Sequence, residues 1–297
     1  MDSVVTSIVA AMPAWSGAEV AIEAMGGLTN TNYLVTVNGE RFVVRVSGAN
    51  CDLLGINREY EHEALATAQA AGIGPEVVRF FLTEGHLVTR LIDGRHWTVE
   101  EYRTFVNIKR LVAVVKRLHA LTSAQATFSP FRRVESYAAI AKELEVSLPE
   151  DFDAFLSKMR AVEDEQSRDP SPWLGFCHND LFAVNFLDDG NIRIVDWEFA
   201  GMGDIYFDLA TLVYSFDEDG PLPPNLETYL LECYFGDASR AHRARLDGMK
   251  YMLLLFTAMW GVVQHGAQKN GLIPTPVDFD CLEYAGKTFA TARHNWL

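Results

Sequence analysis

The sequence predicts an α+β chain folded as two lobes. Residues 1–92 form a small, mainly antiparallel β lobe with one key helix, and residues 93–297 a larger, mostly helical lobe. Three observations predict this division. Two strand-like runs, YLVTV and FVVRV, flank the Asn-Gly pair at residues 38–39, the strongest short hairpin signal. The stretch from Asn57 to Ala71 holds strong helix formers and stops at Gly72, with Pro75 beyond. After residue 92, apolar residues recur at helical spacing, as in Tyr102, Phe105, Ile108, Val112 and Val115.

Composition bounds the classes of function. The 297 residues are 49% hydrophobic and 22% charged, as in an ordinary globular protein. A net charge of −15 and a pI near 4.9 oppose nucleic acid and anionic membranes, which are bound chiefly through Lys and Arg. A cationic partner suits this charge better. Cys51, Cys177, Cys233 and Cys281 show neither C-x-x-C pairing nor zinc-like spacing to His. No basic signal-peptide region opens the chain, and the longest apolar run, Tyr251 to Val263, is too short to span a bilayer. The expectation is a cytoplasmic protein without membrane insertion; a homodimer is compatible with the sequence.

Along the chain, Gly26-Gly27-Leu28-Thr29-Asn30 precedes the first strand of the hairpin. It suits either an ordinary turn or a loop whose N–H groups approach phosphate. Arg45 is the one basic residue of FVVRV, and the following helix carries Glu59, Glu61 and Glu63. DGRHW connects the lobes. Thr98 and Glu101 then form a capping box opening a helix that ends near His119, which reads as structural. Further helices are expected over roughly 134–147, 150–166, 204–217, 224–234, 238–268 and 277–294.

The chemistry concentrates between Phe176 and Asp208. His178, Asp180 and Asn185 follow H-x-D-L-x-x-x-N, the catalytic-loop pattern of phosphoryl-transfer enzymes. NFL and IRIV read as strands around the tight-turn signal DDGN, so a hairpin returns Asp196 to the side of Asp180 and Asn185. Such oxygen-bearing side chains suit Mg²⁺, with Asn185 and Asp196 as ligands. Asp180 would accept a hydrogen bond from a substrate hydroxyl and aim it at the γ-phosphate. His178 would support the loop.

With GGLTNTNYLV, FVVRVSG, NREYEHEALATAQAAGIGPEV, FCHNDLFAVNFL, IVDWEFAG, FDLA, WGVVQ and FDCLEYA in order, most of the chain resembles the choline/ethanolamine kinase family. That group includes aminoglycoside phosphotransferases and shares a protein-kinase-like fold. The resemblance implies ATP and Mg²⁺ as cofactors and a small cationic alcohol as substrate. It makes the first lobe nucleotide-binding, with Thr29 and Asn30 as phosphate-loop residues, Arg45 as the strand cation and Glu61 as its helix partner. Trp260 and Tyr284 match aromatic residues of the acceptor cage, and Glu198 joins them as the acidic group. Ser215 and Thr257 depart from it, standing where eukaryotic members have an acidic residue and a Trp. Another small-molecule phosphotransferase and a non-catalytic nucleotide-binding protein are the alternatives.

Overall fold

A computed structural model of the chain describes residues 3–27, 29–49, 51–122, 126–168, 173–216, 220–273 and 279–297. The first lobe contains helix α1 (Ser3–Ala10), strands β1 (Val20–Gly26), β2 (Thr31–Val37) and β3 (Glu40–Val46), helices α2 (Cys51–Leu54) and α3 (Arg58–Ala70), and strands β4 (Val77–Phe81) and β5 (His86–Arg90). The strands form one antiparallel sheet in the order β1-β2-β3-β5-β4. Asn38 and Gly39 close the central hairpin with φ of 48° and 88°, so Val37 pairs directly with Glu40. Positive φ at both positions is the backbone of a two-residue turn whose twist matches its strands.

The first lobe holds more than the single helix expected from the sequence. Val5 and Ile8, three residues apart on α1, bury against Tyr33, Val35, Phe42 and Val44 of the sheet. That spacing puts both on one helical face. Helix α3 buries Ala64, Leu65 and Ala68 in the main core, and its Asn57 cap accepts from the N–H groups of Glu59 and Tyr60.

The second lobe continues with α4 (Val99–Tyr102), α5 (Phe105–His119), α6 (Pro130–Glu143), α7 (Phe152–Ser167), β6 (Leu174–Cys177), β7 (Phe186–Asp188), β8 (Ile192–Ile194), β9 (Gly201–Asp204), α8 (Ile205–Val213), α9 (Pro224–Phe235), α10 (Arg240–Lys269) and α11 (Cys281–Trp296). The Thr98–Glu101 capping box forms, but the helix it opens stops after one turn. Thr104 then caps a second helix through the N–H of Asn107, so one expected helix is two. Helix α6 starts earlier than expected because Ser129 caps it and Pro130 sits in its first turn, where a missing N–H costs nothing. Helix α8 ends at Val213; residue 217 of the expected helix lies outside the described residues, as do 277 and 278 before α11. Helix α10 has the length and apolarity to cross a membrane, yet 78% of its most apolar window is buried inside the protein. It is the core helix of this lobe.

Strands β7 and β8 form the expected hairpin, pairing Phe186 with Ile194 and Asp188 with Ile192. Gly190 turns it with φ 102°, and the Val195 N–H donates to the Asn185 carbonyl at 3.0 Å, closing its open end. Asp188 ties this hairpin to the inter-lobe connection. Its carboxylate accepts from Trp97 Nε1 (2.9 Å), Arg110 Nη1 (2.7 Å) and Nη2 (2.8 Å), and the Gly190 N–H (3.0 Å).

The Arg110 hydrogen bonds, then that of Trp97, hold the Asp188 carboxyl down at about 2. A depressed carboxyl pKa contributes stability that is present above the unfolded value near 4 and is lost as pH falls from there through about 2. Asp188→Asn is therefore expected to cost about 1–2 kcal/mol at neutral pH, allowing for the partial exposure of Arg110. Denaturant unfolding should show a flatter loss of stability between about pH 4 and 2 than in the parent.

Candidate active site

The segment from His178 to Asn185 joins β6 to β7, and a buried carboxylate behind it sets its path. Asp208, on the first turn of α8, accepts the N–H of His178 at 2.8 Å on Oδ2 and that of Asn179 at 2.7 Å on Oδ1. Asn179 takes a left-handed φ of 65°, uncommon outside glycine, and donates from Nδ2 to the Phe199 carbonyl at 2.9 Å. His178 donates from Nε2 to the Val195 carbonyl at 3.0 Å, and burial lowers its pKa to about 4. It is a neutral support of the loop. Asn185 Nδ2 donates at 2.8 Å both to the Asp180 carbonyl and to Asp180 Oδ2. The Ser215 hydroxyl donates to the Leu181 carbonyl at 3.3 Å, so this departure from the family pattern stitches the loop to the end of α8.

Asp196 follows β8 in a second left-handed conformation, φ 65°. The surrounding protein, then Asp196 and Glu198, raises the Asp180 carboxyl, while the Asn185 bond lowers it. Asp196 is raised likewise by its surroundings and by Glu198, and lowered by Arg45. Asp196 is exposed, and solvent screens that push.

Across the cleft, Arg45 on β3 pairs with Glu61 on α3, Nη2 to Oε2 at 3.0 Å with a second contact from Nη1, and also donates to the Gly85 carbonyl at 3.0 Å. Arg58 joins this pair. Its Nη1 contacts Glu61, and Glu198 Oε2 at 3.1 Å; its Nη2 reaches Asn30 Oδ1 at 3.1 Å and Ser47 Oγ at 2.7 Å. Asn30 donates to Glu198 Oε2 at 2.8 Å. The amide of Asn30 is thus committed to the protein, and Glu198 faces Arg58 and Asn30. Gly27 makes the loop before Asn30 possible: at φ 142°, a Cβ there would sit 2.1 Å from the Asn30 carbonyl oxygen. Thr29 is half-buried on that loop.

Three carboxylates, Glu61, Asp196 and Glu198, therefore meet two guanidiniums, Arg45 and Arg58, and Asp180 stands beside Asp196 and Glu198. Asp196 is exposed, and Asn185, with its Nδ2 turned to Asp180, keeps its amide oxygen as an acceptor. A hard divalent cation suits this oxygen set and its excess negative charge.

A third group lies where α10 meets α11. The rings of Trp260, Phe279 and Tyr284 have centroids 5.3–6.3 Å apart, with Trp260 perpendicular to Tyr284. All three are half-buried. Gly261 permits the approach of the helices, since a Cβ there would lie 2.8 Å from the Cys281 carbonyl oxygen. Phe256, one turn before Trp260, packs on Phe199 and Tyr137, and Tyr137 senses the charges of Glu198 and Asp180. Phe256 thus joins the helix that carries Trp260 to Phe199, the residue after Glu198. Thr257 is turned inward, its hydroxyl donating to the Leu253 carbonyl at 3.0 Å.

Residues 21–245 match the model of the phosphotransferase enzyme family. The chain belongs to that family. The protein LicA of Haemophilus influenzae is 29% identical over 237 residues, which are 77% of this chain and 66% of that protein. A choline/ethanolamine kinase family protein from Mesorhizobium loti superposes with a TM-score of 0.79 at 29% identity, covering 98% of this chain and 92% of that one. Choline kinase LicA from Streptococcus pneumoniae superposes with a TM-score of 0.82 over 99% of this chain and 98% of that one; at 20% identity the likeness concerns the fold. The phosphotransferase is a small-molecule kinase with an alcohol acceptor, built on the protein-kinase-like fold.

Three members of the site were missed from sequence. Arg58 stands three residues before Glu61, a spacing that puts both on one face of α3. Asp208 lies within FDLA as one carboxylate in an apolar run, a pattern that marks a buried acid in need of donors. Phe279 precedes Tyr284 by five residues. Removing Glu61 leaves Arg45 and Arg58 as under-compensated buried charges, so Glu61→Ala is expected to cost about 3–5 kcal/mol in urea unfolding. A loss below about 1 kcal/mol would show that the network does not hold the cleft together.

Proposed function

We propose that this phosphotransferase uses ATP and Mg²⁺ to phosphorylate the hydroxyl of a small cationic amino alcohol, choline or ethanolamine, in the cytoplasm. The observation that carries the reading is the half-buried trio of Trp260 on α10, Tyr284 on α11 and Phe279 just before α11, in a protein with an acidic cluster of Asp180, Asp196 and Glu198. Aromatic faces and nearby carboxylates attract a quaternary or primary ammonium through the ring quadrupole and through charge. The names of the similar proteins from Mesorhizobium loti and Streptococcus pneumoniae support the same acceptor class. A structural relative described in complex with AMP supports a nucleotide donor. Four free cysteines fit a reducing compartment.

In this reading Asp180 accepts the hydrogen bond of the acceptor hydroxyl. Asn185 fixes the rotamer of Asp180 through Nδ2. Asn185 and Asp196 would hold Mg²⁺, which when bound offsets charge on the β- and γ-phosphates. Arg45, held by Glu61, and the loop with Thr29 and Asn30 face the phosphates. Glu198 belongs to this nucleotide side, because its carboxylate is held by Arg58 and Asn30. We place it there rather than in the acceptor site that the resemblance implies.

A coupled ADP-release assay over choline, ethanolamine and aminoglycosides tests the substrate class; turnover confined to aminoglycosides would overturn it. Asp180→Asn is expected to lower kcat by about 10²–10⁴-fold while leaving ATP affinity in place. Trp260→Ala should raise the acceptor KM about thirtyfold, the equivalent of about 2 kcal/mol of cation–π attraction, with KM for ATP unchanged. Equal losses for both substrates together with a lower Tm would mark Trp260 as a packing residue instead.

A further inference from the structure

We propose that His119, backed by Tyr234, is a positioning residue for phosphoryl transfer, acting through Asp208 on the backbone of the loop that carries Asp180. The inference rests on Asp180 as the group that orients the acceptor. His119 ends α5 with its side chain 4% exposed, against a fully buried Asp208. Its Nε2 lies 3.0 Å from Asp208 Oδ2, and its Nδ1 lies 2.7 Å from the Tyr234 hydroxyl. An ionised Asp208 can only accept, so Nε2 carries the proton and Nδ1 accepts from Tyr234. One continuous path then runs from Tyr234 through His119 and Asp208 to the N–H groups of His178 and Asn179.

This path has something to hold. Asp208 Oδ2 serves both His119 and the His178 N–H, while Oδ1 serves the Asn179 N–H. Without His119 the carboxylate lacks the donor opposite the loop and can turn away from it. Asn179, in its left-handed conformation one residue before Asp180, keeps that conformation only while such bonds constrain it. A misplacement of about 1 Å at a reacting group can lower turnover by about 10²-fold.

His119, Asp208 and Cys177 also offer ligand atoms within 4.8 Å of one another, the residue types of a metal site. The hydrogen bonds already occupy His119 Nε2 and both Asp208 oxygens. Burial and the charge of Asp208 push the Cys177 thiol up, against thiolate formation. The arrangement is a hydrogen-bonded relay.

His119 and Tyr234 also line a surface cavity of about 230 Å³. An apolar cavity of about 150 Å³ suffices for benzene, so imidazole can enter a hole left by His119→Ala. Steady-state ADP release with the best acceptor tests the relay, well below the melting temperature of each variant. His119→Ala is expected to lower kcat about ten- to hundredfold with both KM values within about twofold, and added imidazole should restore part of it. His119→Gln, which keeps a donor at the reach of Nε2, should stay within about threefold of wild type. Tyr234→Phe, which keeps the ring, should lower kcat about two- to fivefold and carries the test should His119→Ala not fold. The relay is overturned by a folded His119→Ala with kcat within about twofold of wild type, by a loss that imidazole and Gln both fail to relieve, or by an unchanged kcat in Tyr234→Phe. Asp180→Asn assayed in parallel separates the two readings: an active Asp180→Asn removes the loop's role in turnover, and an inactive one beside a fully active His119→Ala removes only the relay.

Discussion

Like charge gathered in one cleft is the constraint on which this structure turns. Glu61, Asp180, Asp196 and Glu198 come from α3, the β6–β7 loop, the end of β8 and the turn after it; Glu61, Asp196 and Glu198 share the guanidiniums of Arg45 and Arg58, while Asp180 has the Asn185 amide. Self-repulsion of that kind lowers stability unless each carboxylate is held by donors or a cation is added. The surrounding fold supplies the donors. Sheet and helix of the first lobe present Arg45 and Arg58, and Asn30 reaches over from its glycine-shaped loop to Glu198. These contacts join the lobes at the cleft, beside the apolar packing of α3 in the main core.

The geometry of the loop depends on a carboxylate outside the cleft. Asp208 needs donors because it is fully buried, and the backbone of His178 and Asn179 supplies two of them. The same bonds stabilise left-handed backbone at Asn179. Asp196 carries the second such conformation in the region, and both stand beside the residues given chemical roles here. Strained backbone at a site is kept only where neighbouring structure over-determines it. The Val195 carbonyl, bonded to His178, and the Val195 N–H, bonded to the Asn185 carbonyl, provide that redundancy.

Much of this was legible in the sequence, and the reasons differ by element. The Asn38-Gly39 and Asp188-to-Asn191 turns could be read because positive φ selects few residues, and the hairpin between them and Asp196 followed from strand geometry alone. The break at Arg103 and Thr104 was hidden because apolar periodicity runs on through it, while capping is a local event. Helix α1 was hidden because only two buried residues define it. Asn30 and Glu198, which the resemblance assigns to the phosphate loop and the acceptor site, hydrogen-bond to each other. Such a pairing spans 168 residues, and no local pattern encodes it. For Arg58 and Asp208 the local pattern marks burial or a shared helical face, but not the distant partners Glu198 and the His178 N–H.

The cleft holds more carboxylates than guanidiniums, and we propose that a divalent cation bound at Asp196 offsets the excess. Isothermal calorimetry of ATP binding with and without Mg²⁺, on wild type and on Asp196→Asn, tests this most directly. The account predicts that Mg²⁺ strengthens ATP binding in wild type by at least about tenfold, about 1.4 kcal/mol, and that Asp196→Asn abolishes the difference. A variant that retains the full Mg²⁺ dependence would contradict it.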